Sequence, residues 1–328
     1  MLQSQNLLEK LRNISNDILE PGDFYEKLAP AITAYTDLLF NLGKIESDGA
    51  ADRKHINLKL GNAIGTFWAA NCVKEIFRTQ RFVRGLYWAV KDKLAQKGSP
   101  VQVLYAGTGP FATLALPIMS QFSPEEVQFS FLEINQNSYN KLLDVISAFN
   151  FQQYVKRIEL TDATSYILPD KEVDIVLSET LNKALITEPQ VFIMLNLASQ
   201  LDDQAIYLPE EITVNLCAKK RNERNFTKLE KLITFNQAEM KRIIGNSGDQ
   251  QWVFDEIKAE LGDNEIEDLY YATEIKVYKN NFLGYNDSSL NFLEKVKPDQ
   301  KDSKTLFFKY TANERPGFVA YAESLAKV

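Results

Sequence analysis

The sequence predicts an α/β protein in three stretches: N-terminal helices over 1–97, alternating strands and helices over 98–208, and a β-rich region over 209–328. Three observations carry this division. Apolar residues recur at helical spacing as far as Leu94, and Gly98-Ser99-Pro100 then stops the pattern. Short apolar runs next alternate with helical patterns up to Leu208, as βαβ units do. From Pro209 onward strand-like pieces dominate.

In the first stretch Leu7, Leu8, Leu11 and Ile14 share a helical face, as do Phe24, Leu28, Ile32, Tyr35 and Leu39. A polar, loop-like interval lies around Ser47 to Lys54. Ala63 to Leu94 then carries a long apolar pattern whose aromatics, Phe67, Trp68, Phe82 and Trp88, are expected in the core. Helix is thus expected throughout 1–97.

The second stretch opens with a strand over Val101 to Ala106, running into Gly107-Thr108-Gly109-Pro110, and a helix over Phe111 to Gln121. Val127 to Leu132 is the second strand and ends at Glu133; Ser138 to Phe149 is the next helix. Strands over Arg157 to Leu160, ending at Asp162, and over Val173 to Leu177 follow, then a helix over Pro189 to Leu201. Beyond Ala205 to Leu208, the third stretch begins with an alternating strand over Glu211 to Ala218. Further strands are expected at Thr273 to Tyr278, Thr305 to Tyr310 and Phe318 to Ala322, interrupted by a helical insertion near Phe226 to Leu261. That insertion could serve as a dimerisation arm, a lid or packing on the second domain, and packing is the expectation. A homodimer stays open.

Composition narrows the function. A net charge of −7 argues against a general phosphate-binding surface, so nucleic acid is not the expected partner. No apolar run approaches the roughly 18 residues that span a bilayer, and the first residues lack the pattern of a signal peptide. Cys72 and Cys217 form no metal-spaced cluster. A single histidine, His55, argues against a His-based metal site or a Ser-His-Asp triad. A metal-free, cytoplasmic protein is expected.

The chemistry-bearing residues fall at strand ends. Gly107 and Gly109, between a strand and a helix, let the backbone turn sharply and approach a ligand. Glu133, ending the second strand, falls where a carboxylate accepts from both hydroxyls of a ribose. Asp162, ending the third, could accept from an exocyclic amine such as that of adenine. A dinucleotide site would show a third glycine, whereas Pro110, Phe111 and Ala112 follow here. S-adenosylmethionine is therefore the favoured cofactor. After the fourth strand come Glu179 and, nine residues on, Glu188. Two acids returned to one cleft would form a clamp for a cation.

In their order and spacing, segments between about 67 and 218 resemble the protein arginine methyltransferase family of class I S-adenosylmethionine-dependent methyltransferases. Phe77-Arg78-Thr79 is similar to that family's Arg-Thr helix, which implies that Arg78 pairs with the methionyl carboxylate of the cofactor. Val103 to Gly109 sits where the first motif belongs, Glu133 matches the ribose acid and Asp162 the acid near adenine. Glu179 and Glu188 match the double-Glu loop, and Tyr207-Leu208-Pro209-Glu210 resembles the crossing into a barrel. The resemblance implies a Rossmann-like methyltransferase sheet followed by a partial barrel. Departures are also plain. Tyr105 stands in place of an acid, Phe111 in place of a glycine, and Thr180-Leu181-Asn182 replaces an aromatic and a glycine. The Thr-His-Trp barrel motif is absent, since the only histidine lies at 55. The expected function is N-methylation of a cationic guanidino or amino group on a small molecule or peptide. A protein arginine methyltransferase with a divergent barrel, a non-catalytic cofactor-binding relative, and a nicotinamide-dependent dehydrogenase remain open alternatives.

Overall fold

In the computed structural model, residues 2–45, 49–97, 100–220, 225–248, 252–262, 266–299 and 303–323 are described. Helices α1 (Leu2–Leu19) and α2 (Tyr25–Gly43) pack on each other. Leu11, Ile14 and Ile18 on one, and Leu28, Ile32, Tyr35 and Leu39 on the other, are buried at helical spacing. Phe24 departs from expectation: it precedes α2 and is exposed. Part of the loop expected from Ser47 and the stop at Gly98-Ser99 lie outside the described residues.

Helix does not run throughout this stretch. After the single turn α3 (Ala50–Arg53), Ile56–Leu58 (β1) and Gly61–Ala63 (β2) form a hairpin. Gly61, at φ 106°, makes the turn that a residue with a Cβ adopts only under strain. The long apolar pattern that follows is divided into α4 (Thr66–Asn71) and α5 (Ile76–Lys97). Phe82 and Leu86 enter the core as expected, but Trp68 and Trp88 are 45% and 43% exposed. Each packs edge-on against a neighbouring aromatic at the surface instead.

The second stretch gives a five-stranded, all-parallel sheet. Its strands are β3 (Val101–Ala106), β4 (Val127–Glu133), β5 (Val155–Leu160), β6 (Ile175–Ser178) and β7 (Ile206–Leu208), in spatial order β5-β4-β3-β6-β7. Strands β3 and β6 are almost wholly buried, as a parallel sheet covered on both faces requires. Between the strands lie α6 (Leu116–Gln121), α7 (Gln136–Ala148) and α8 (Gln190–Ala198). Helix α6 starts five residues later than expected: Ala112 takes φ 47°, and Pro117 suits the first helical turn.

Strand order reverses at β3, because the chain runs outward through β4 and β5 and returns to the other side at β6. A crevice forms at such a switch point, beyond the carboxyl ends of the strands. Ala106 pairs with Ser178 there, so the glycine loop after β3 and the acid after β6 emerge side by side.

The third stretch is antiparallel. One sheet runs β12 (Asn281–Leu283), β11 (Ile266–Tyr278), β8 (Glu211–Lys220), β9 (Phe226–Asn236), with β13 (Glu294–Lys295) also on β11. A second runs β10 (Glu256–Glu260), β14 (Thr305–Thr311), β15 (Gly317–Tyr321). Tyr271 of the first sheet packs on Phe308 and Phe318 of the second.

The helical insertion expected over Phe226 to Leu261 instead begins with strand β9 and ends with strand β10. Among its described residues only α9 (Gln237–Asn246) is helical, opened by Asn236, whose side chain accepts from Glu239 N at 3.1 Å. It buries Met240 and Ile243 and packs on α8 and β9, which matches the packing role. No helix among the described residues is long and apolar enough to cross a membrane.

Candidate active site

The seven residues singled out from the sequence, Arg78, Gly107, Gly109, Glu133, Asp162, Glu179 and Glu188, all line one cleft of about 930 Å³ that opens to solvent. One wall is the nucleotide-type loop. Gly107 and Gly109 take φ 75° and 61°, the left-handed region where a Cβ is disfavoured. A Cβ at Gly107 would also lie 2.1 Å from the Thr180 methyl. Gly107 N donates to Leu132 O at 2.8 Å, tying the loop to the neighbouring strand.

Glu133 organises this loop. Its Oε1 accepts from Ile134 N at 2.9 Å and Asn135 N at 2.8 Å, and its Oε2 from Gly109 N at 2.8 Å and Thr108 Oγ1 at 3.4 Å. A carboxylate has about four lone-pair sites, so only the long Thr108 contact is easily exchanged for another hydroxyl. Burial raises the Glu133 carboxyl, against the pull of those backbone donors. Asp162 is less committed: Oδ1 accepts from Thr164 N and Oγ1, both at 2.8 Å.

Beside this loop the lining carries Arg78, Glu179 and Glu188. Arg78 lies in the first turn of α5 and is 7% exposed. Its Nη1 donates to Glu75 Oε1 at 2.7 Å, its Nη2 lies 2.5 Å from Glu179 Oε1, and its Nε has no partner. Glu75 also accepts from Ser289 N at 2.6 Å and Ser289 Oγ at 2.8 Å. The two acids on Arg78 therefore diverge. Burial raises Glu75 too, but Arg78 and the Ser289 donors outweigh it and hold the carboxyl below its ordinary value. Glu179 has no such donors; burial lifts it to about 7 against the Arg78 charge. Burial, offset by Arg78 and reinforced by Glu179, likewise lifts Glu188 to about 7.

The loop between the two acids is strained and heavily anchored. Ala184, Leu185 and Thr187 take φ 54°, 56° and 65°, conformations that cost roughly 1–3 kcal/mol each unless the surroundings impose them. Thr273 Oγ1 accepts from Ala184 N at 2.7 Å, and Tyr310 Oη donates to Leu185 O at 2.6 Å. Thr187 N donates to Pro316 O at 2.8 Å, while Asn62 N of the early hairpin donates to Thr187 O at 2.7 Å. At the other end, Gln190 Oε1 accepts from Thr180 N and Oγ1 at 3.0 and 3.1 Å. Gly61 sits against the Glu188–Pro189 backbone, where its own Cβ would lie 3.0–3.1 Å away.

Every charged residue that lines the cleft is named in the sequence reading; Glu75, which braces Arg78 without lining the cleft, is not. The signal for it was available: Glu75 and Arg78 stand three apart at a helix start, within reach of each other. Ser289 carries no comparable signal, because its contact spans 214 residues of chain. Cys72 and Tyr105 also line the cleft, and burial raises both, Cys72 to about 12.

No family model matches the chain, and no curated protein matches it. Among solved structures it is similar to one titled as the Trypanosoma brucei PRMT1 enzyme–prozyme heterotetrameric complex with AdoHcy. The identity is 12%, the alignment covers 73% of this chain and 85% of that one, and the TM-score is 0.49. It is also similar to a uniquely open conformation of Arabidopsis thaliana protein arginine methyltransferase 10. There the identity is 10%, the coverage 75% of this chain and 94% of that one, and the TM-score 0.47.

Proposed function

We propose that the protein is an S-adenosylmethionine-dependent N-methyltransferase acting on a cationic guanidino or amino group of a small molecule or peptide. The observation that carries this reading is one cleft holding a glycine loop, a buried arginine with an unmet donor, and two carboxylates whose pKa lies near neutrality. The loop fits a nucleoside, since Gly107 and Gly109 line the cleft in a left-handed turn that brings bare backbone to it. Arg78 fits the carboxylate of the donor, its planar fork matching that group. Asp162 would accept from the adenine amine, and Glu133 would take a ribose hydroxyl in place of Thr108.

When bound, S-adenosylmethionine supplies an electrophilic methyl group on a sulfonium. Methyl transfer is then a displacement in which positioning and electrostatics dominate. A guanidinium attacks poorly, because its lone pair is delocalised and its pKa exceeds about 12. Glu179 and Glu188 answer both difficulties. Paired hydrogen bonds orient the planar cation and draw its charge away from the attacking nitrogen. A carboxyl held near 7 also accepts the proton that the nitrogen gives up after methylation.

Incubation with isotopically labelled S-adenosylmethionine plus free arginine, a diamine, an Arg-Gly-rich peptide or a folded arginine-rich protein tests the reading. Label is expected on a cationic small molecule or short peptide. Binding of the nucleoside with no transfer to any of them would point to a non-catalytic protein, and transfer confined to folded protein substrates to a protein arginine methyltransferase.

A further inference from the structure

Arg78 offers five N–H donors and the fold engages them unequally. Nη1 is fixed to Glu75, which two Ser289 donors and a packed helix start hold in place. Nη2 touches Glu179 at 2.5 Å, yet Glu179 Oε1 makes no aligned hydrogen bond, and Nε has no partner at all. Both side chains are nearly enclosed, 8% and 10% exposed. A guanidinium edge with one orphaned donor and one poorly made contact is an incomplete carboxylate seat. Among the described residues the acid resting on it has no other ion-pair partner, whereas Glu75 does not depend on Arg78 alone.

We propose that Arg78 is a partner-switching residue: in the free protein it holds Glu179 back, and the carboxylate of the bound methyl donor takes that edge and releases Glu179 to the cationic acceptor. This rests on the reading of the cleft given under Proposed function. The exchange is non-covalent, one carboxylate replacing another on the same guanidinium. Charge favours it. Three carboxylates around one arginine leave the ionised cluster net negative, and Glu188 repels a Glu179 that has lost its partner. The zwitterionic end of the donor relieves the arginine, and a cation between Glu179 and Glu188 relieves the two acids. The donor and acceptor therefore bind with positive coupling, each improving the seat of the other.

Calorimetric titration at pH 8, where Glu179 is ionised, separates the possibilities. S-adenosylhomocysteine keeps the donor's carboxylate, and 5′-methylthioadenosine lacks it. Glu179→Gln removes the competing charge, so it is expected to bind S-adenosylhomocysteine about tenfold more tightly, the factor of one pKa unit of interaction, and 5′-methylthioadenosine no differently. Wild-type protein supplies a readout that needs no variant: methylguanidinium is expected to bind more tightly with S-adenosylhomocysteine present than with 5′-methylthioadenosine. Unchanged or weaker S-adenosylhomocysteine binding in a folded Glu179→Gln overturns the switch, as does methylguanidinium indifferent to which nucleoside is present. Both results leave the cofactor reading standing. Failure of the wild-type protein to bind either nucleoside overturns the cofactor reading and the switch together.

Discussion

The two walls of the cleft are built on opposite terms. The glycine-loop wall is finished: Glu133 accepts from Ile134 N, Asn135 N and Gly109 N, and Gly107 and Gly109 already hold the turn. On the acid wall the buried polar groups are left short. Among the described residues, the buried side-chain atoms without a hydrogen-bond partner are Arg78 Nε, Glu179 Oε1 and Gln190 Nε2. All belong to the acids' side of the site or the loop that carries it. A buried polar group without a partner is costly and asks for an explanation. The loop adds three left-handed residues that are not glycine. One wall is preorganised; the other holds unmet polarity at Arg78 and Glu179.

That contrast can be broken by pH. Both acids must be ionised to hold a cation, and both lie near 7. The pH profile of kcat/KM reports groups of the free enzyme. It should fall about 100-fold between pH 8 and pH 6, approaching a slope of two as both carboxyls take up protons. A profile flat across that range would mean that the acid wall takes no part in acceptor binding.

The glycines sharpen the contrast on the other side. Gly107→Ala meets both a strained φ and the Thr180 methyl, whereas a Cβ at Gly109 meets only Ala69 at 3.5 Å. Thermal unfolding with and without S-adenosylhomocysteine should show a loss of about 2 kcal/mol for Gly107→Ala, with weakened binding. The loss for Gly109→Ala should be smaller, from backbone strain alone. Equal effects would mean that close approach to Thr180 is unimportant.

A further effect has the sign opposite to that of an ordinary salt-bridged acid. Glu188 is raised from 4.5 to about 7 in the folded state. The folded protein therefore takes up a proton between those values that the unfolded chain does not, and stability falls as pH rises through the interval. The cost is absent below the unfolded value and complete above about 7. Glu188→Gln should thus stabilise the protein by about 3 kcal/mol at pH 8 and leave it unchanged near pH 4, read as the shift in denaturant midpoint. Destabilisation at pH 8 would mean that the carboxylate has a structural partner.

The sequence made one part of the molecule far more legible than another, for physical reasons. Strand β3 was read at its observed bounds, Val101–Ala106, because a strand buried on both faces appears as a near-continuous apolar run, here interrupted only by Gln102. Strand ends in such a sheet converge on one crevice, so Glu133, Asp162 and Glu179 could be assembled before any geometry was known. Strand β9 was misread as helix. It lies at a sheet edge with Lys228, Glu230 and Lys231 exposed, and two register shifts against β8 break its alternation. Leu229 and Leu232 then imitate helical spacing. The early hairpin was missed because three-residue strands leave almost no pattern, although Gly61 marked its turn. The Glu75–Ser289 link joins residues that only tertiary structure brings together.

The most direct test of methylation at the two carboxylates is transfer of labelled methyl to cationic acceptors by wild-type protein and by the Glu179→Gln/Glu188→Gln double variant. Removing charge stabilisation of this kind typically costs about 100-fold or more. Transfer to a guanidino or amino compound by the wild type, lost by at least that factor in a variant that still binds S-adenosylhomocysteine, is the expected result. Equal turnover by the double variant, or no transfer by the wild type to any cationic acceptor, would contradict it.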